Sequence, residues 1–488
     1  MQLTTATLDS LPPRVAVPTY DRAALVPSIV HIGVGGFHRA HFALYVDELA
    51  NAGSTAWGIT GVGLLEQDAT MAAALDAQDG LYTLVVRDEG HIEARVVGSI
   101  VRYVHAYPDI EPLVALIAAP ETQIVSLTVT EGGYPVNDDT GEFDPDSPNA
   151  GPSRAFAAIV RGLRRRYDAG LGPITVISFD NIIGNGHVSR TATLGVAGVI
   201  DPELTTWIDE HVAFPSSMVD RIVPMTSDAD RALVAQEFGI EDQAPVMTEP
   251  FRQWVVEDHF ASARLPVEQL DVIVTEDVEP YELFKLRLLN ASHSSLAYLA
   301  RLAGITFVHD VLAEPRFATF VRRFLVDEAG PTVPEAPGIE LAPYQESLLA
   351  RFANPAIGDQ VDRLCLDGSS KFPKFLIPTV RAQLARGGPI DLAALALAGW
   401  CVYLRGRDDT GADIPLAHDP RLAEAREHAD SSVDDPAAFL TFRAVFGDDL
   451  PVDDRFRHAF THHLRLLTEN GARDAIDRAL GAGRTGDG

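Results

Sequence analysis

Between Tyr281 and Ala300 the chain reads "YELFKLRLLNASHSSLAYLA". Leu283, Phe284, Leu286, Leu288, Leu289, Leu296 and Leu299 give this stretch the apolar weight of a buried helix, yet Lys285, Asn290 and His293 interrupt it. At about 100° per residue, Asn290 falls about 140° and His293 about 80° from Lys285, so all three fit one side of a helix. A buried amine without a partner is costly or gives up its proton, and unpartnered amides and imidazoles also cost. His293 alone reads as a satisfied core histidine. The three together read as the wall of a polar cleft.

These residue types suit the oxidation of a secondary alcohol. As hydride leaves carbon, a base must take the hydroxyl proton, and a lysine serves once burial lowers its pKa toward neutrality. Asn290 can donate to the developing alkoxide. His293 can hydrogen-bond the substrate oxygen and hold it in place. Glu282, three residues before Lys285, lies one turn away and can relay the proton to solvent. Asn181, in "SFDNIIGNG", is a second amide. It follows the carboxyl end of a predicted strand, where ligands of open α/β sheets collect.

A hydride acceptor has its own signal. "GVGGFHRAH" puts Gly33 and Gly35 at the first two positions of a GxGxxG fingerprint, with His38 in the third. The first glycine permits a tight turn, and the second lets backbone approach a pyrophosphate at a helix N-terminus. Gly36 and Phe37 continue the turn, and Arg39, one residue into the helix, can reach a phosphate. In "GVGLLEQD", Glu66 and Asp68 follow the second predicted strand, and no Arg or Lys lies between Trp57 and Met71. A carboxylate there bonds ribose hydroxyls and repels a 2′-phosphate, so NAD is expected rather than NADP.

The elements that must position these groups follow from the apolar pattern. "SIVHI", the glycine turn, a helical pattern through Leu44, Tyr45 and Leu49, and "WGITGVGL" make a strand–helix–strand unit. "LYTLVV", "IVSLTVT" and "ITVISF" are further strand candidates whose continuous apolar runs suit a parallel sheet buried on both faces. Helical patterns then dominate over 280–303, 314–328, 344–352, 375–386, 391–405, 436–446 and 454–468. The expectation is an α/β N-terminal Rossmann-type dinucleotide-binding domain over 1–275. A mostly α-helical C-terminal domain carrying the catalytic groups is expected over 276–488. A chain of 488 residues exceeds what one core usually serves.

Composition narrows the partners. Lys plus Arg total 39 against 69 Asp plus Glu, a formal charge of -30. That balance repels phosphate backbones and anionic lipid, so neither nucleic acid nor membrane is an expected partner. Cys365 and Cys401 sit in no metal-ligand spacing, so no metal is expected, and such sparse cysteine suits a reducing cytoplasm. The N-terminus shows no basic region followed by an apolar run, and the longest apolar run, Leu392 to Leu404, is too short to span a bilayer. A cytoplasmic location and a monomer, with a dimer as the alternative, are the expectations.

In order and spacing, "GVGGFHRAH", "TEGGY", "SFDN", "MVDRIVPMTS", "EPFRQWVVED", "KLRLLNASH" and "DGSSKFPKF" resemble the polyol-specific long-chain dehydrogenases over nearly the whole chain. The Lys-x4-Asn-x2-His signature at 285–293 is the specific mark. The resemblance implies zinc-independent, NAD-linked oxidation of a polyol to a ketose, D-mannitol to D-fructose foremost. It implies Lys285 as general acid/base, Asn181 and Asn290 as the oxyanion pair, His293 as the substrate-orienting residue and Glu282 as the proton relay. It also implies that Asp220, Arg363 and Lys371 contact the polyol chain and that Asp68 selects NAD. Phe42 stands where the family often has Gln. Fructuronate and tagaturonate reductases share the signature, and Arg363 or Lys371 could face a sugar-acid carboxylate. If Arg363 pairs with Asp220, a neutral polyol is preferred; if it stands free, a sugar acid becomes plausible. D-arabinitol 4-dehydrogenase uses the same groups on a shorter chain. A non-catalytic nicotinamide-binding regulator would have lost the Lys or an Asn, and both are present.

Overall fold

Four consecutive apolar-flanked residues, Ile29–Ile32, form the central strand of a five-stranded sheet. The order across it is Ile100–His105, Ile59–Gly63, Ile29–Ile32, Ile124–Leu127 and Thr175–Ser178, all parallel. Numbered along the chain, that is third, second, first, fourth, fifth, the order of a Rossmann-type sheet. Every residue of the four strands other than Ile100–His105 is buried, as strands covered on both faces require. The alternation of the strand splits them between two cores. Ile29, Ile59, Ile124 and Ile177 face Leu44, Tyr45 and Leu49 of the helix Phe42–Asn51. Val30, Ile32, Val125 and Val176 face the helices Glu111–Ala118, Ala155–Asp168 and Asn185–Ile200.

The computed structural model describes residues 1–137 and 140–481, and it divides into two compact units, Met1–Glu279 and Pro280–Gly488. In the first unit two expectations need correction. The "LYTLVV" strand, Tyr82–Asp88, is not part of the parallel sheet. It pairs antiparallel with His91–Val97 across the tight Glu89-Gly90 turn, where Gly90 has φ +71°. It then joins Val246–Thr248 in a separate mixed sheet. The edge position of the main sheet belongs instead to Ile100–His105, whose half-exposed pattern hid it from the sequence reading. The helix after the glycine turn is also divided. Gly36–Ala40 and Phe42–Asn51 meet at His41, whose backbone is non-helical. A third sheet sets Gln253–Glu257 between Ser217–Asp220, antiparallel, and Ile273–Thr275, parallel.

The second unit is helical. Its helix Asp391–Tyr403, apolar after the opening aspartate, is buried almost throughout and packs against Ala291–Leu302 and Asp454–Ala479. Gly399 makes the first contact close: a Cβ there would lie 2.7 Å from Leu299 Cδ2. The start of a buried helix leaves amides that water cannot reach. Glu328 answers this one, its carboxylate accepting the Leu392 and Ala393 N–H groups at 2.7 and 2.8 Å. Among the described residues no helix is long and apolar enough to cross a membrane.

Replacing Glu328 by Ala orphans both amides. Each buried donor left unpaired costs about 1–3 kcal/mol, so the urea midpoint falls with the slope unchanged. Burial also pushes the Glu328 carboxyl up to about 7 from an ordinary 4.5, against the pull of the two amides. The folded chain thus holds this proton to higher pH than the unfolded chain. The associated stability is complete below pH 4.5 and is lost as pH rises through about 7. Glu328→Gln should flatten that part of the stability–pH curve; equal slopes in variant and parent would count against this assignment.

Candidate active site

The glycine turn is built on a steric demand. Gly33 has φ +94°, and a Cβ there would sit 2.1 Å from the Thr128 carbonyl oxygen. No other residue fits. Gly35 is the opposite case, since a Cβ there would meet nothing within 4 Å. A Cβ at Gly36 would lie 3.4 Å from Val223 Cγ1, and Phe37 stacks on the His41 ring with centroids 4.9 Å apart. Beneath the turn, His31 bonds Ser126 Oγ at 2.8 Å, Thr128 Oγ1 at 2.9 Å and the Gly33 carbonyl at 3.2 Å. His38, in the third fingerprint position, stacks on His31 with ring centroids 3.4 Å apart. Burial pushes His31 down to about 3 and His38 well below its ordinary value. Both rings are therefore neutral at physiological pH and stack without repulsion.

Arg39 departs from expectation. Its guanidinium is buried, donates to the Ala244 carbonyl and lies 5.4 Å from the Tyr82 ring centroid. It fastens the short helix to the second sheet and is turned away from a phosphate role. Asp68 closes a single turn, Glu66–Asp68, just past the carboxyl end of Ile59–Gly63. Its Oδ2 accepts the Leu65 N–H at 2.9 Å, and Glu66 is exposed. The open approach at Gly35 and the carboxylate at Asp68 can hold a pyrophosphate and an adenosine ribose. Phe42 is core, packed on Phe179 and Trp254.

Two polar candidates lie past strand ends in the same unit. Asn181 is exposed just beyond Thr175–Ser178. Asp220 ends Ser217–Asp220, opposite Gln253, and is 4% exposed. Directly before Asn181 stands a residue to which the sequence assigned no role. Asp180 is buried, and its carboxylate accepts from Val129 N–H, Thr130 N–H and Tyr134 O–H. Burial pushes its carboxyl up to about 6, opposed by those three donors. The signal that could have found it was a second polar residue in "SFDN" directly after an apolar strand.

In the second unit Glu282, Lys285 and His293 are 5%, 7% and 9% exposed. Their helix is not uniform. Glu279–Lys285 and Ala291–Leu302 are α-helical, but Leu286–Asn290 is a π turn, with the Ala291 N–H reaching back to the Leu286 carbonyl. A π turn inserts about one extra residue into the helical count. The sequence spacings of five and eight then act as four and seven. Asn290 comes to about 40° and His293 to about 20° from Lys285, a tighter line than a regular helix allows. His293 stacks on Phe352 with centroids 4.2 Å apart. Asn290 Oδ1 is buried with no hydrogen-bond partner among the described residues. Arg363, in the turn Val361–Leu364, makes a two-pronged pair with Asp359 at 2.7 and 2.6 Å. Lys371 lies in the helix Gly368–Phe375, half-buried.

The mannitol dehydrogenase Rossmann domain profile matches residues 27–269, and the mannitol dehydrogenase C-terminal domain profile matches 277–468. The mannitol 2-dehydrogenase of Phaeosphaeria nodorum is 45% identical over 474 residues, covering 95% of this chain and 83% of that protein. That of Aspergillus fumigatus is 43% identical over 481 residues, covering 96% and 95%. Among solved structures, the Pseudomonas fluorescens mannitol 2-dehydrogenase in ternary complex with NAD and D-mannitol matches with TM-score 0.90 and 40% identity, over 99% of this chain and 100% of that one. A D-sorbitol dehydrogenase in substrate-free form matches with TM-score 0.89 and 35% identity, over 97% and 100%. The fold is a Rossmann-type unit followed by a helical one, and the chain belongs to the mannitol dehydrogenase family.

The two turn glycines separate folding from binding. Gly33→Ala should lower the melting temperature and weaken NADH binding together. Gly35→Ala meets open space, so it should leave the melting temperature unchanged while weakening NADH binding, followed by fluorescence titration. Unaltered NADH affinity in Gly35→Ala would remove that turn from the cofactor site.

Proposed function

We propose that the chain catalyses the NAD-dependent oxidation of a polyol at a secondary alcohol, D-mannitol at C2 to D-fructose, and the reverse reduction. The observation that carries this reading is the π turn Leu286–Asn290 between the buried Lys285 and His293, which by helical count draws Lys285, Asn290 and His293 toward one line. The fit of the cofactor rests on the open approach at Gly35 and on Asp68 beyond the second strand. The Pseudomonas fluorescens relative complexed with NAD and D-mannitol supports NAD as the cofactor and D-mannitol as the substrate.

In this reading NAD, when bound, takes up the hydride from C2. Lys285 accepts the hydroxyl proton at Nζ, and Glu282 passes it on to solvent. Asn181 and Asn290 donate to the oxygen as its charge grows, which lowers the barrier more than it tightens ground-state binding. His293, fixed by its stack on Phe352, orients that oxygen. Asp220, Arg363 and Lys371 address the remaining hydroxyls. The pairing of Arg363 with Asp359 bears on substrate charge. A guanidinium already neutralised by its own neighbour offers little to a substrate carboxylate, so a neutral polyol is favoured over a sugar acid.

Lys285→Ala should lower turnover about 100- to 10,000-fold while NADH binding persists, and the unsubstituted enzyme should retain activity after dialysis against a strong chelator. Near-normal turnover without the lysine, or loss of activity restored by zinc, would overturn the mechanism.

Substrate choice is tested by kcat/KM for D-fructose against D-fructuronate with NADH, and for D-mannitol against D-sorbitol and D-arabinitol with NAD. Fructose and mannitol should lead. A missing or inverted hydroxyl leaves a buried polar group unpaired, so discrimination should be strong. Preference for fructuronate would reassign the substrate class and leave the catalytic groups in place.

A further inference from the structure

The mechanism above gives Asp180 no part, although it precedes Asn181 directly and is 8% exposed. Its carboxylate is fully engaged. One oxygen accepts the Thr130 N–H at 2.9 Å. The other accepts the Val129 N–H at 3.0 Å and the Tyr134 O–H at 2.7 Å. The turn it grips is not one the chain adopts unaided. Thr130 has φ +64° and ψ +164°, a region that residues with a Cβ avoid. Something must hold it, and the charge-assisted bond to the Thr130 amide does so.

The backbone around Asp180 is held as firmly as its side chain. The Asp180 N–H donates to Ser178 Oγ at 3.1 Å, and Tyr134 Oη and Ser178 Oγ are 2.7 Å apart. The Asp180 carbonyl accepts from Asn185 Nδ2 at 3.0 Å. The same amide donates to the Ser217 carbonyl at 2.8 Å and accepts the Ser217 N–H at 2.9 Å. Ser217 opens the strand that ends at Asp220. One buried network therefore ties three segments together: the turn after Ile124–Leu127, the segment carrying Asn181 and the strand carrying Asp220.

We infer that Asp180 is a positioning residue for the reaction: by clamping the 129–134 turn to the segment after Thr175–Ser178, it holds the Asn181 amide where it must donate. This inference rests on the reading of Asn181 as an oxyanion donor. A displacement of about 1 Å at such a donor can cost about 100-fold in rate.

A double-mutant cycle for polyol oxidation tests it. Asp180→Asn places an amide NH₂ among N–H and O–H donors, so the clamp loosens. Its kcat should fall about 100-fold, far more than its KM changes. In the Asn181→Ala background the same substitution should cost less than about threefold, because the group it positions is gone. Tyr134→Phe removes one donor without changing the fold's charge; its smaller loss of kcat should also vanish in the Asn181→Ala background. If Asp180→Asn does not fold, the Tyr134→Phe cycle decides. Normal kcat in Asp180→Asn, or losses that recur in full without Asn181, would overturn the assignment and leave a purely structural clamp. Polyol turnover by the unsubstituted chain tests the underlying function separately: an active chain with independent losses refutes only the role of Asp180.

Discussion

For the proposed reaction, a buried helix must place a lysine, an amide and an imidazole on one line without breaking its own hydrogen-bond ladder. The spacing of five and then three residues does not achieve this in a regular α-helix. The π turn at Leu286–Asn290 does, by adding a residue between Lys285 and Asn290. A widened turn packs and bonds less well than an α turn, so it persists only where its surroundings leave no alternative. Here they do not. Leu288, Leu289 and Leu296 are buried, and Tyr298 Oη donates to the Cys365 carbonyl at 3.0 Å. Leu299 meets Gly399 too closely for the two helices to slide. The Asp391–Tyr403 helix that supplies Gly399 is in turn fixed at its start by Glu328. The geometry of three polar groups is thus maintained by apolar packing and one buried carboxylate.

The first unit solves a different problem with different means. Its turn at Gly33 lies between the first and fourth strands of the sheet order, where the direction of strand succession reverses and ligands gather. Close approach of Gly33 to Thr128 joins the two strands there. His31 bridges the same two residues from below, and its neutral ring can donate on one side and accept on the other. A charge on both rings would place two stacked imidazolium cations under the turn, 3.4 Å apart. Burial forbids that charge, so the support stays the same across the physiological pH range.

Much of this architecture was legible from the sequence because burial leaves a pattern. Strands covered on both faces show as continuous apolar runs, and four of the five parallel strands were found that way. The same signal misplaced Tyr82–Asp88, because a run of apolar residues does not say which sheet it joins; that was decided by a two-residue turn and by pairing with the distant Val246–Thr248. The π turn was invisible for a related reason. A helical wheel assumes a constant angle per residue, and local composition gives no warning where tertiary packing widens a turn. Arg39 shows the limit for single side chains. Its place beside a glycine turn suggested a phosphate, yet a long side chain can turn inward, and the Ala244 carbonyl and Tyr82 ring drew it there.

The fate of Arg39 changes how an anion would be held at the turn. With that charge committed to the second sheet, the turn's own contribution comes from backbone N–H groups and the opening at Gly35. Backbone donors are fixed by the fold and carry only partial charge, so they favour a well-placed pyrophosphate without drawing free phosphate strongly. The pairing of Arg363 with Asp359 has the same character in the second unit. Both cations are engaged by neighbours on their own unit, Arg39 by a carbonyl and a ring that leave its charge in place, Arg363 by a carboxylate that balances it. With these two cations engaged, hydrogen-bonding groups carry more of the recognition than these charges do. Recognition of that kind depends on the number and direction of hydroxyls, which is the property that distinguishes one polyol from another.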